Sequence, residues 1–436
     1  MRLRLLLALG VLALGVLAAP LSASGPAPIP ETANWAKTDN LTALGFAPRF
    51  QPPNSFNTDL AFWGDVAIQG SFTGFRFVDI SKPQKPKQIF DYNGCAGDQG
   101  DVIVWDNILV RSWNSPAGAS STCGGQPVPQ GQEGLHVFDI SDMTDPQLRA
   151  FIPLRCGSHT ATGVPDLAND RLLVYNSSSS SACPGFDVVQ VPLGNPAGAS
   201  LVREVVAEMA CHDIGVIMGG VMKLACAGHF GVQVYGIGAP AGGSLDNPQF
   251  LWMEDYPGVT IGHSAMWSFD GKVLVLGHEP GGGVQARCQE TSELTDRTLY
   301  FVDGSNGAIL GTFIHPRPQT ATENCSWHNY NIVPLKNKAG KPRYVMVSGN
   351  YQSGISVVDF SDPAAPEEIA FADPPPLSPT QLILGGDWGS YWYNGRIYQS
   401  DITRGLFIWR IDDPRVGTFF KTTHLNPQTA EFSIGS

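Results

Sequence analysis

The sequence predicts an all-β fold, a single seven-bladed β-propeller built from four-stranded antiparallel blades. Three observations lead to it. A short strand pattern recurs seven times, a second strand pattern precedes most of the copies, and glycine and proline account for 49 and 34 of the 436 residues. This content of turn formers is typical of short strands joined by tight turns, and it excludes coiled coils and helical bundles.

The recurring pattern is a glycine, then alternating apolar residues, then an aspartate followed by a serine and a proline-rich turn. Clear copies occupy residues 74–79, 134–139 and 354–359, and degenerate copies occupy residues 185–189, 231–235, 298–303 and 405–412. Successive copies lie on average about 55 residues apart, a period that indicates a repeat architecture. Because apolar residues alternate within each copy, each copy is predicted to be a β-strand.

Other strands complete a four-stranded unit around each copy. The strands that precede the copies lie at residues 65–69, 107–111, 171–175, 272–276, 343–347 and 396–399. A further apolar segment precedes each of these strands. A fourth strand follows the proline-rich turn, as at residues 87–90 and 368–371. Four strands repeated seven times indicate propeller blades. A seven-unit solenoid is the alternative, but the turns Asp270-Gly271 and Asn394-Gly395 are typical of antiparallel hairpins and favour blades.

The domain organisation follows from the ends of the chain. Arg2 and Arg4, the apolar residues 5–18 and the small residues after them predict a signal peptide over residues 1–24, with a retained membrane anchor as the alternative. Residues 25–39 are expected to form an unstructured N-terminal leader, and residues 40–436 a single propeller domain. Residues 40–46 are expected to supply the outer strand of the seventh blade and close the ring, which removes exposed sheet edges. The segment after Gly417 is either an extra strand or a trailing segment.

The charge distribution limits the possible partners. Lysine and arginine number 27 against 39 aspartate and glutamate residues, a net charge of -12, and no basic run occurs. Nucleic acid is therefore excluded as a partner. No further apolar segment long enough to span a membrane follows the signal, so we expect a secreted, periplasmic or cell-envelope protein, acting as a monomer on a small molecule or on an envelope protein or glycan.

The eight cysteines are predicted to form four disulfides, because an exported chain reaches an oxidising compartment. Four of them precede an inner strand and four follow a second strand, and these ends lie side by side in a hairpin. The predicted pairs are Cys95 with Cys123, Cys156 with Cys183, Cys211 with Cys226, and Cys288 with Cys325. Eight cysteines allow many other connectivities. A metal thiolate at Cys211, next to His212, is the alternative for that residue.

The copies of the repeat also carry a family resemblance. The sequence Val78-Asp79-Ile80-Ser81, its later counterparts and the proline turn that follows resemble the motif of the bacterial LVIVD-repeat proteins, over nearly all of the chain that follows the signal. The resemblance implies a secreted propeller and names no activity. In the fourth and seventh copies Gly236 and Arg410 replace the aspartate, so we interpret this aspartate as a turn former.

Four consecutive repeat units place a histidine at the same point, just where the inner strand begins. These residues are His159, His212, His263 and His328. Because inner strands converge on the propeller axis, the imidazoles are expected to meet there and to bind a transition metal such as iron, copper or zinc. The residues expected to orient the ring nitrogens are Asp98, Asp101, Asp213, Glu279 and Asn329.

Two classes of function remain open for such a site. Carotenoid-cleaving oxygenases are also seven-bladed and hold iron through four axial histidines, and this similarity of architecture implies metal-dependent oxidative chemistry on a small molecule. The alternative is a non-catalytic propeller that binds a protein or a glycan, in which each histidine hydrogen-bonds the backbone of a neighbouring blade and lines a water-filled channel. We expect the remaining histidines His136, His229, His315 and His424 to be surface or packing residues.

Overall fold

The computed structural model describes residues 29–49, 55–338 and 340–432, and these residues form one closed ring of seven antiparallel sheets. Each inner strand contacts the inner strand of the next blade, and the seventh contacts the first. The predicted fold class, a seven-bladed propeller of four-stranded blades, is therefore confirmed. The predicted signal peptide, residues 1–24, lies outside the described residues.

Within each blade the strands run outward from the axis in chain order, except in the seventh. The inner strands are Asn57–Trp63, Val102–Trp105, Thr160–Asp166, Cys211–Ile217, Gly262–Trp267, Asn329–Ile332 and Asp387–Tyr393. The second strands are Val66–Ser71, Ile108–Trp113, Arg171–Ser177, Lys223–Gly228, Val273–His278, Val345–Gly349 and Arg396–Asp401. The third strands are Gly74–Asp79, Gly134–Asp139, Phe186–Pro192, Gly231–Gly236, Thr298–Asp303, Ile355–Asp359 and Gly405–Ile411. The outer strands are Lys87–Tyr92, Gln147–Pro153, Ser200–Val205, Gln249–Asp255, Ile309–Ile314, Glu367–Asp373 and, for the seventh blade, Leu41–Pro48.

A few short elements lie outside the blades. The 3-10 helices are Pro30–Thr32, Leu167–Asn169, Pro196–Gly198, Leu294–Arg297 and Pro414–Val416. The short strands are Ala36–Lys37, Thr122–Cys123, Gln126–Pro127, His424–Leu425 and Thr429–Ala430. Across the part of the chain that the structure describes, none of the helices has the length and apolar character needed to cross a membrane.

The structure explains why the glycine and the aspartate recur in the copies of the repeat. A Cβ on the glycine would lie 1.8–2.3 Å from a carbonyl oxygen of the outer strand in six of the seven copies, at Gly74, Gly134, Gly185, Gly231, Gly354 and Gly405. The outer strand can therefore approach only where no side chain is present. The aspartate carboxylate accepts a hydrogen bond from the backbone N–H two residues later, as Asp79 does from Ser81 at 2.9 Å, so it is the predicted turn former.

A Gly231→Ala substitution should lower the free energy of unfolding by about 3 kcal/mol. The new Cβ would lie 2.0 Å from the carbonyl oxygen of Glu254, so the third and outer strands of the fourth blade must separate. The measurement is the shift in the denaturation midpoint followed by circular dichroism. Gly118→Ala is the matched control, because the nearest atom to its Cβ would be 3.7 Å away. Equal midpoints for both variants would contradict this explanation of the repeat.

The hydrophobic core lies between the blades. The third strand of the first blade contributes Phe75 and Phe77, which pack with Leu109 and Phe138 of the second blade, all of them fully buried. Comparable clusters fill the other interfaces, including the one between the seventh and first blades, where Phe62 packs with the aromatic side chains of the seventh. Burial of large apolar side chains between neighbours makes each blade dependent on the next.

The N-terminal part of the described chain closes the ring as predicted and corrects one expectation. Leu41–Pro48 pairs with Gly405–Ile411 as the outer strand of the seventh blade. The prediction that residues 25–39 form an unstructured leader is wrong for their described part, residues 29–39. Ala36–Lys37 pairs with the outer strand of the sixth blade, and Trp35 is buried against Phe407 and Trp409. Burial of a large indole ring outweighs the entropy of ordering this short segment.

The segment after Gly417 contains two short extra strands, in agreement with one of the two predicted alternatives, and it runs as a strap across the lower end of the axis. His424–Leu425 pairs with the inner strand of the first blade, and Thr429–Ala430 pairs in parallel with the inner strand of the fourth. Between them the Asn426 amide bonds both the N–H and the C=O of Val104 in the second blade, each at 2.9 Å. The strap therefore joins blades that lie on different sides of the ring, and it closes the lower end of the channel.

Candidate metal centre

The axial channel ends in a cavity of about 330 Å³ at the end of the ring where the inner strands begin. Its mouth is formed by the exposed residues Ser181, His229 and Gly282, and its floor includes Gln428 of the C-terminal strap. The other polar residues that line it are Asp59, Gln99, Asp101, His159, Thr160, Ser179, His212, Asp213, His263, Glu279, His328, Asn329 and Tyr351. We expected His229 to be a surface or packing residue. It is exposed, and it also lines the mouth of the cavity.

The four axial histidines lie side by side along the wall of the cavity. Ring centroids are 4.5 Å apart for His159 and His212, 4.1 Å for His212 and His263, and 4.4 Å for His263 and His328. The structure therefore brings together the four positions that the repeat aligned. They form an arc over the third to sixth blades rather than a symmetric ring about one point.

The carboxylate of Glu279 lies at the centre of this arc. Its oxygens are 3.8 Å from His212 Nε2, 3.7 Å from His263 Nε2 and 3.5 Å from His328 Nε2. Among the described residues, His212, His263 and Glu279 each offer a ligand atom within 4.8 Å of the other two. We expected Glu279 to orient a ring nitrogen, and the structure instead places it among the Nε2 atoms.

Local irregularities of the inner strands explain why neighbouring residues face the same site. Successive side chains of a regular strand point to opposite faces. The pairing register shifts between Cys211 and Ile214 in the fourth blade, and between Gly262 and Ala265 in the fifth. Such bulges re-aim side chains. As a result His212 with Asp213 line the cavity together, and His263 lies beside Ser264.

Three of the histidines have their Nδ1 atoms held by hydrogen-bond partners. His212 Nδ1 is 3.2 Å from the carboxylate of Asp213, and His328 Nδ1 is 2.5 Å from the backbone carbonyl of Trp388. His263 Nδ1 is 2.6 Å from Ser264 Oγ, which itself donates to the carbonyl of His328. Carbonyl and carboxylate oxygens only accept, and the Ser264 hydroxyl uses its proton on a carbonyl, so Nδ1 carries a proton in all three rings and Nε2 is turned towards Glu279.

His159 differs from the other three. Its Nδ1 is enclosed and has no hydrogen-bond partner among the described residues. Its backbone N–H donates to the carbonyl of Ser177, which fixes the start of the strand. An enclosed imidazole nitrogen without a partner costs free energy, and no described neighbour fixes the tautomer of His159 as the partners of the other three rings do.

The protonation of the cluster follows from its burial. Burial lowers the pKa of His328 to about 4 and lowers the pKa of His159 and His263 well below the ordinary value. Burial opposes the charge on His212 as well, but the hydrogen bond to Asp213 and the carboxylates nearby raise its pKa. Burial raises the pKa of Glu279 to about 7. Three imidazoles are therefore neutral at pH 7, the form that binds metals.

Tyr351 is a residue of the site that the sequence pattern did not predict. Its hydroxyl donates to Glu279 Oε1 at 2.6 Å and lies 2.8 Å from His328 Nε2. The backbone at Tyr351 has a φ of 55°, a strained conformation for a tyrosine. The hydroxyl of Tyr351 therefore links Glu279 to His328. The only sequence signal was its position just after the second strand of the sixth blade.

A carboxyl pair lies at the other side of the cavity. Asp59 and Asp101 come from the first and second blades and hydrogen-bond each other, so one of them carries a proton. Burial raises the pKa of both groups. Asp59 also accepts from Tyr391 and, at 2.8 Å, from Gln428 of the strap. Asp59 lies where the sequence repeat places it, but its role was not predicted.

The other residues that we expected to orient the ring nitrogens have different positions in the structure. Asn329 lines the cavity, and its Oδ1 lies 3.2 Å from Ser264 Oγ. Asp101 lies beside Asp59 and accepts from the backbone of Ala161 at 2.7 Å, so it does not orient a histidine ring. The carboxylate of Asp98 accepts a hydrogen bond from Ser115 and is not part of the cavity wall.

All four predicted disulfides are confirmed, and they fasten the loops at the cavity end of the ring. Cys95–Cys123, Cys156–Cys183 and Cys211–Cys226 each close within a blade, and Cys288–Cys325 joins the fifth blade to the sixth. Cys211 is therefore not a metal thiolate. The same chemistry excludes a second group of metal-type residues, Cys95, Cys123 and His136, because its sulfur atoms are bonded to each other.

His136 should make the fold sensitive to acid. Burial lowers its pKa to about 3, so the unfolded chain binds a proton between pH 6.5 and 3 that the folded chain does not. The stability due to the neutral ring is fully present above pH 6.5 and is lost as the pH falls towards 3. We expect the burial of neutral His136 to lower the free energy of unfolding by about 2 kcal/mol between pH 7 and pH 4.5.

The measurement is urea unfolding at both pH values for the wild type and for His136→Phe, which keeps the ring stacked on Phe151. The wild type should lose more stability on acidification than the variant does. Because only the difference between the two proteins is used, the opposite contributions of buried carboxyl groups such as Asp101 cancel. Identical losses would contradict the burial of a neutral His136.

A ring of seven blades with imidazole and carboxyl groups converging at one end of its axis defines a β-propeller with a candidate metal centre. The model of the LVIVD repeat family matches residues 339–371, which cover the second and third strands and part of the outer strand of the sixth blade. The chain is thus a seven-bladed propeller that carries an LVIVD repeat, as its sequence pattern predicted. No curated protein matches the chain.

Solved structures with a similar chain path include one that is described as a propeller. Sqt1 from Chaetomium thermophilum is 12% identical, with 85% of this chain and 98% of that chain covered and a TM-score of 0.48. The computationally designed Ika8 protein is 12% identical over 85% and 98% of the two chains, with a TM-score of 0.46. The Dos1 propeller is 10% identical over 87% and 83%, with a TM-score of 0.46.

Proposed function

We propose that this protein binds one transition-metal ion at the upper end of its axis and uses it for oxidative chemistry on a small molecule. The ligands are His212 Nε2, His263 Nε2 and the carboxylate of Glu279. His328 and His159 flank them and complete the arc. This narrows the four-histidine site expected from the sequence to two imidazoles and one carboxylate, with the other two imidazoles in support.

The observation that carries the proposal is the set of partners on the Nδ1 side of the rings. Metal-binding histidines typically donate their second ring N–H to a carboxylate, a backbone carbonyl or another acceptor, which fixes the tautomer and aims the free lone pair. Asp213, Ser264 and the Trp388 carbonyl do this for three adjacent histidines. A channel histidine that bonds the backbone of a neighbouring blade would account for the Trp388 carbonyl, but not for the side-chain partners Asp213 and Ser264.

The spacing of the ligand atoms also fits a metal. Ligand atoms about 2.1 Å from a tetrahedral ion lie about 3.4 Å from one another. The separations of 3.5–3.8 Å between Glu279 and the three Nε2 atoms are close to that value. They are also longer than direct hydrogen bonds, and the Tyr351 hydroxyl bridges Glu279 to His328 but to neither of the two proposed imidazole ligands.

The donor set narrows the choice of metal and chemistry. Two histidines and one carboxylate with open positions are the ligands of non-haem Fe(II) oxygenases, and the same set occurs in catalytic zinc sites. The remaining positions face a cavity of about 330 Å³, which leaves room for a small molecule beside the ion. Iron is therefore the first candidate and zinc the second.

We also infer that the chain works outside the reducing cytosol. Four disulfides join all eight cysteines, and disulfides persist chiefly in secreted or periplasmic proteins. The basic and apolar start of the sequence supports export by the same reasoning.

The test is the metal content of the full chain purified without an affinity tag, before and after reconstitution with Fe²⁺, Cu²⁺ or Zn²⁺. Inductively coupled plasma mass spectrometry should find about one equivalent of one metal per chain. Less than about a tenth of an equivalent of every metal after reconstitution would overturn the proposal and leave the non-catalytic binding propeller as the function.

A further inference from the structure

A second cavity, of about 400 Å³, lies at the lower end of the ring, where the inner strands end. It is therefore at the opposite end of the axis from the candidate metal centre. One wall is formed by the ends of the inner strands of the sixth and seventh blades, at Ile332 and Tyr393, and by Phe269 of the fifth blade. The other wall is the C-terminal strap, between residues 420 and 432.

The strap forms a closed loop at this end of the ring. The Phe432 ring stacks on Phe269 at a centroid distance of 5.0 Å, and it lies 6.2 Å from the ring of Phe420. His424 Nε2 is 2.7 Å from the carboxylate of Glu431. The first and last parts of the strap thus contact each other, and the cavity that they enclose is largely formed before any ligand binds, as is usual for small-molecule sites.

The walls of this lower cavity are rich in aromatic side chains. Five of them line it: Phe269, Trp392, Tyr393, Phe420 and Phe432. Flat rings pack best against other flat rings, in stacked or edge-to-face arrangements. A volume of about 400 Å³ is at the lower end of the range for small-molecule sites. The shape and composition therefore suit one small aromatic molecule.

The amide side chains in the lining are already used to hold the walls together. Asn331 bonds the N–H and the C=O of Trp392, at 2.8 and 3.0 Å. Asn394 bonds the N–H and the C=O of Thr422 in the strap, at 3.0 and 2.8 Å. Both ends of each amide are thus occupied by backbone groups, so these two residues position the walls and leave ligand recognition to others.

Two hydrogen-bond donors of the lining have no partner in the described part of the chain. Trp392 is buried, and its enclosed indole N–H is unpaired. Lys421 is exposed at the rim and has no ion pair with a described residue. Glu431, the one acid among the described lining residues, is engaged by His424. A free ammonium group beside an aromatic cavity favours a carboxylate, because charge-assisted hydrogen bonds are strong.

We propose that the lower cavity binds a small aromatic monocarboxylate. Its ring packs between the aromatic side chains of the blades and of the strap, and its carboxylate accepts hydrogen bonds from Lys421. This site is separate from the proposed metal centre and does not depend on it. Because the ligand contacts both walls, its binding fastens the strap to the lower ends of the fifth to seventh blades.

The test compares three ligands of nearly equal size: 3-phenylpropionate, its neutral amide 3-phenylpropanamide, and 3-phenylpropylamine. Binding to the full chain is measured by isothermal titration calorimetry after metal removal with EDTA, so that the carboxylate cannot bind a metal ion. We expect 3-phenylpropionate to bind at least tenfold more tightly than the amide, and the amine to bind more weakly than both. Equal affinities, or tightest binding of the amine through Glu431, would overturn the inference.

A pair of lysine variants locates the carboxylate. Lys421→Met keeps an apolar side chain of similar length, so it should bind 3-phenylpropionate at least tenfold more weakly while its affinity for the amide stays unchanged. Lys82→Met is the matched control, because Lys82 is equally exposed and does not line the cavity. It should retain the preference of the wild type for the acid. The same preference in Lys421→Met would overturn the assignment of Lys421.

Hydrogen exchange followed by mass spectrometry locates the ligand independently of any substitution. The Phe420 N–H donates to the carbonyl of Pro334, and the Thr422 N–H donates to Asn394. Saturating 3-phenylpropionate should slow the exchange of these strap amides. Protection confined to the loops around the upper cavity would place the ligand at the other end of the axis and overturn the inference, whereas the metal content of the chain decides the proposed function separately.

Discussion

A His263→Ala variant should bind its metal more than 100-fold more weakly than the wild type, and it should be isolated with less than about a tenth of an equivalent. His263 is buried, and its Nε2 is one of the two imidazole ligands that approach Glu279. Without it the ion keeps a single imidazole from the trio, and the Glu279 carboxylate remains buried beside it.

The measurement is metal content by mass spectrometry together with a competition titration against a chelator of known affinity. His424→Ala is the matched control, because this histidine bonds Glu431 in the C-terminal strap, away from the cavity. It should retain the metal content of the wild type. Equal metal content in His263→Ala and the wild type would contradict the assignment of His263 as a ligand.

Asp213→Asn separates a positioning residue from a ligand at the same site. The Asp213 carboxylate accepts from His212 Nδ1, and loss of such a partner typically weakens metal binding 10- to 100-fold. We expect the variant to bind about one equivalent at saturating metal but with lower affinity, whereas His263→Ala should fail to saturate. An unchanged affinity would show that Asp213 does not orient the ligand.

Most of the fold could be predicted because its determinants are local and repeated. The glycine of each copy is required where the outer strand passes over it, and the aspartate forms the turn that follows, so both recur in the sequence at the spacing of the blades. The disulfides followed from the same register, because the start of an inner strand lies beside the end of the second strand. The four axial histidines could be aligned for the same reason.

The parts that could not be predicted depend on contacts between distant segments. Glu279 lies in a loop whose path the repeat does not determine. The sequence therefore did not predict that its carboxylate lies among the Nε2 atoms. Tyr351 joins the cluster from a backbone with a φ of 55°, a conformation that its sequence position did not indicate. The bulges that turn both His212 and Asp213 towards the axis leave no simple mark in the alternation of apolar residues. Pairing of Ala36–Lys37 with the sixth blade likewise joins segments more than 300 residues apart.

An Asn426→Ala substitution should lower the free energy of unfolding by about 3 kcal/mol, more than expected for most single surface changes. The Asn426 side chain bonds both the N–H and the C=O of Val104, so truncation leaves two buried backbone groups on the inner strand of the second blade unpaired. Other residues of the strap bond the first, third and fourth blades. The Gly64 N–H donates to the carbonyl of Thr423, and the Val216 N–H donates to the carbonyl of Gln428. Thr429 Oγ1 donates to the carbonyl of Gly163.

Release of the strap should therefore act on the whole ring rather than on one blade. Deletion of residues 418–436 should lower stability further than Asn426→Ala does, and it should expose the floor of the cavity, which Gln428 helps to form. The measurements are thermal unfolding by circular dichroism and hydrogen exchange of the Val104 and Val216 amides, which should lose protection together. Lys421→Ala is the matched control, because this exposed residue lies in the same segment. If the strap only trails along the lower face, Asn426→Ala and Lys421→Ala should be equally stable. If it fastens the inner strands of the first to fourth blades, only Asn426→Ala should lose stability. The strap then stabilises the closed ring together with the strand Leu41–Pro48.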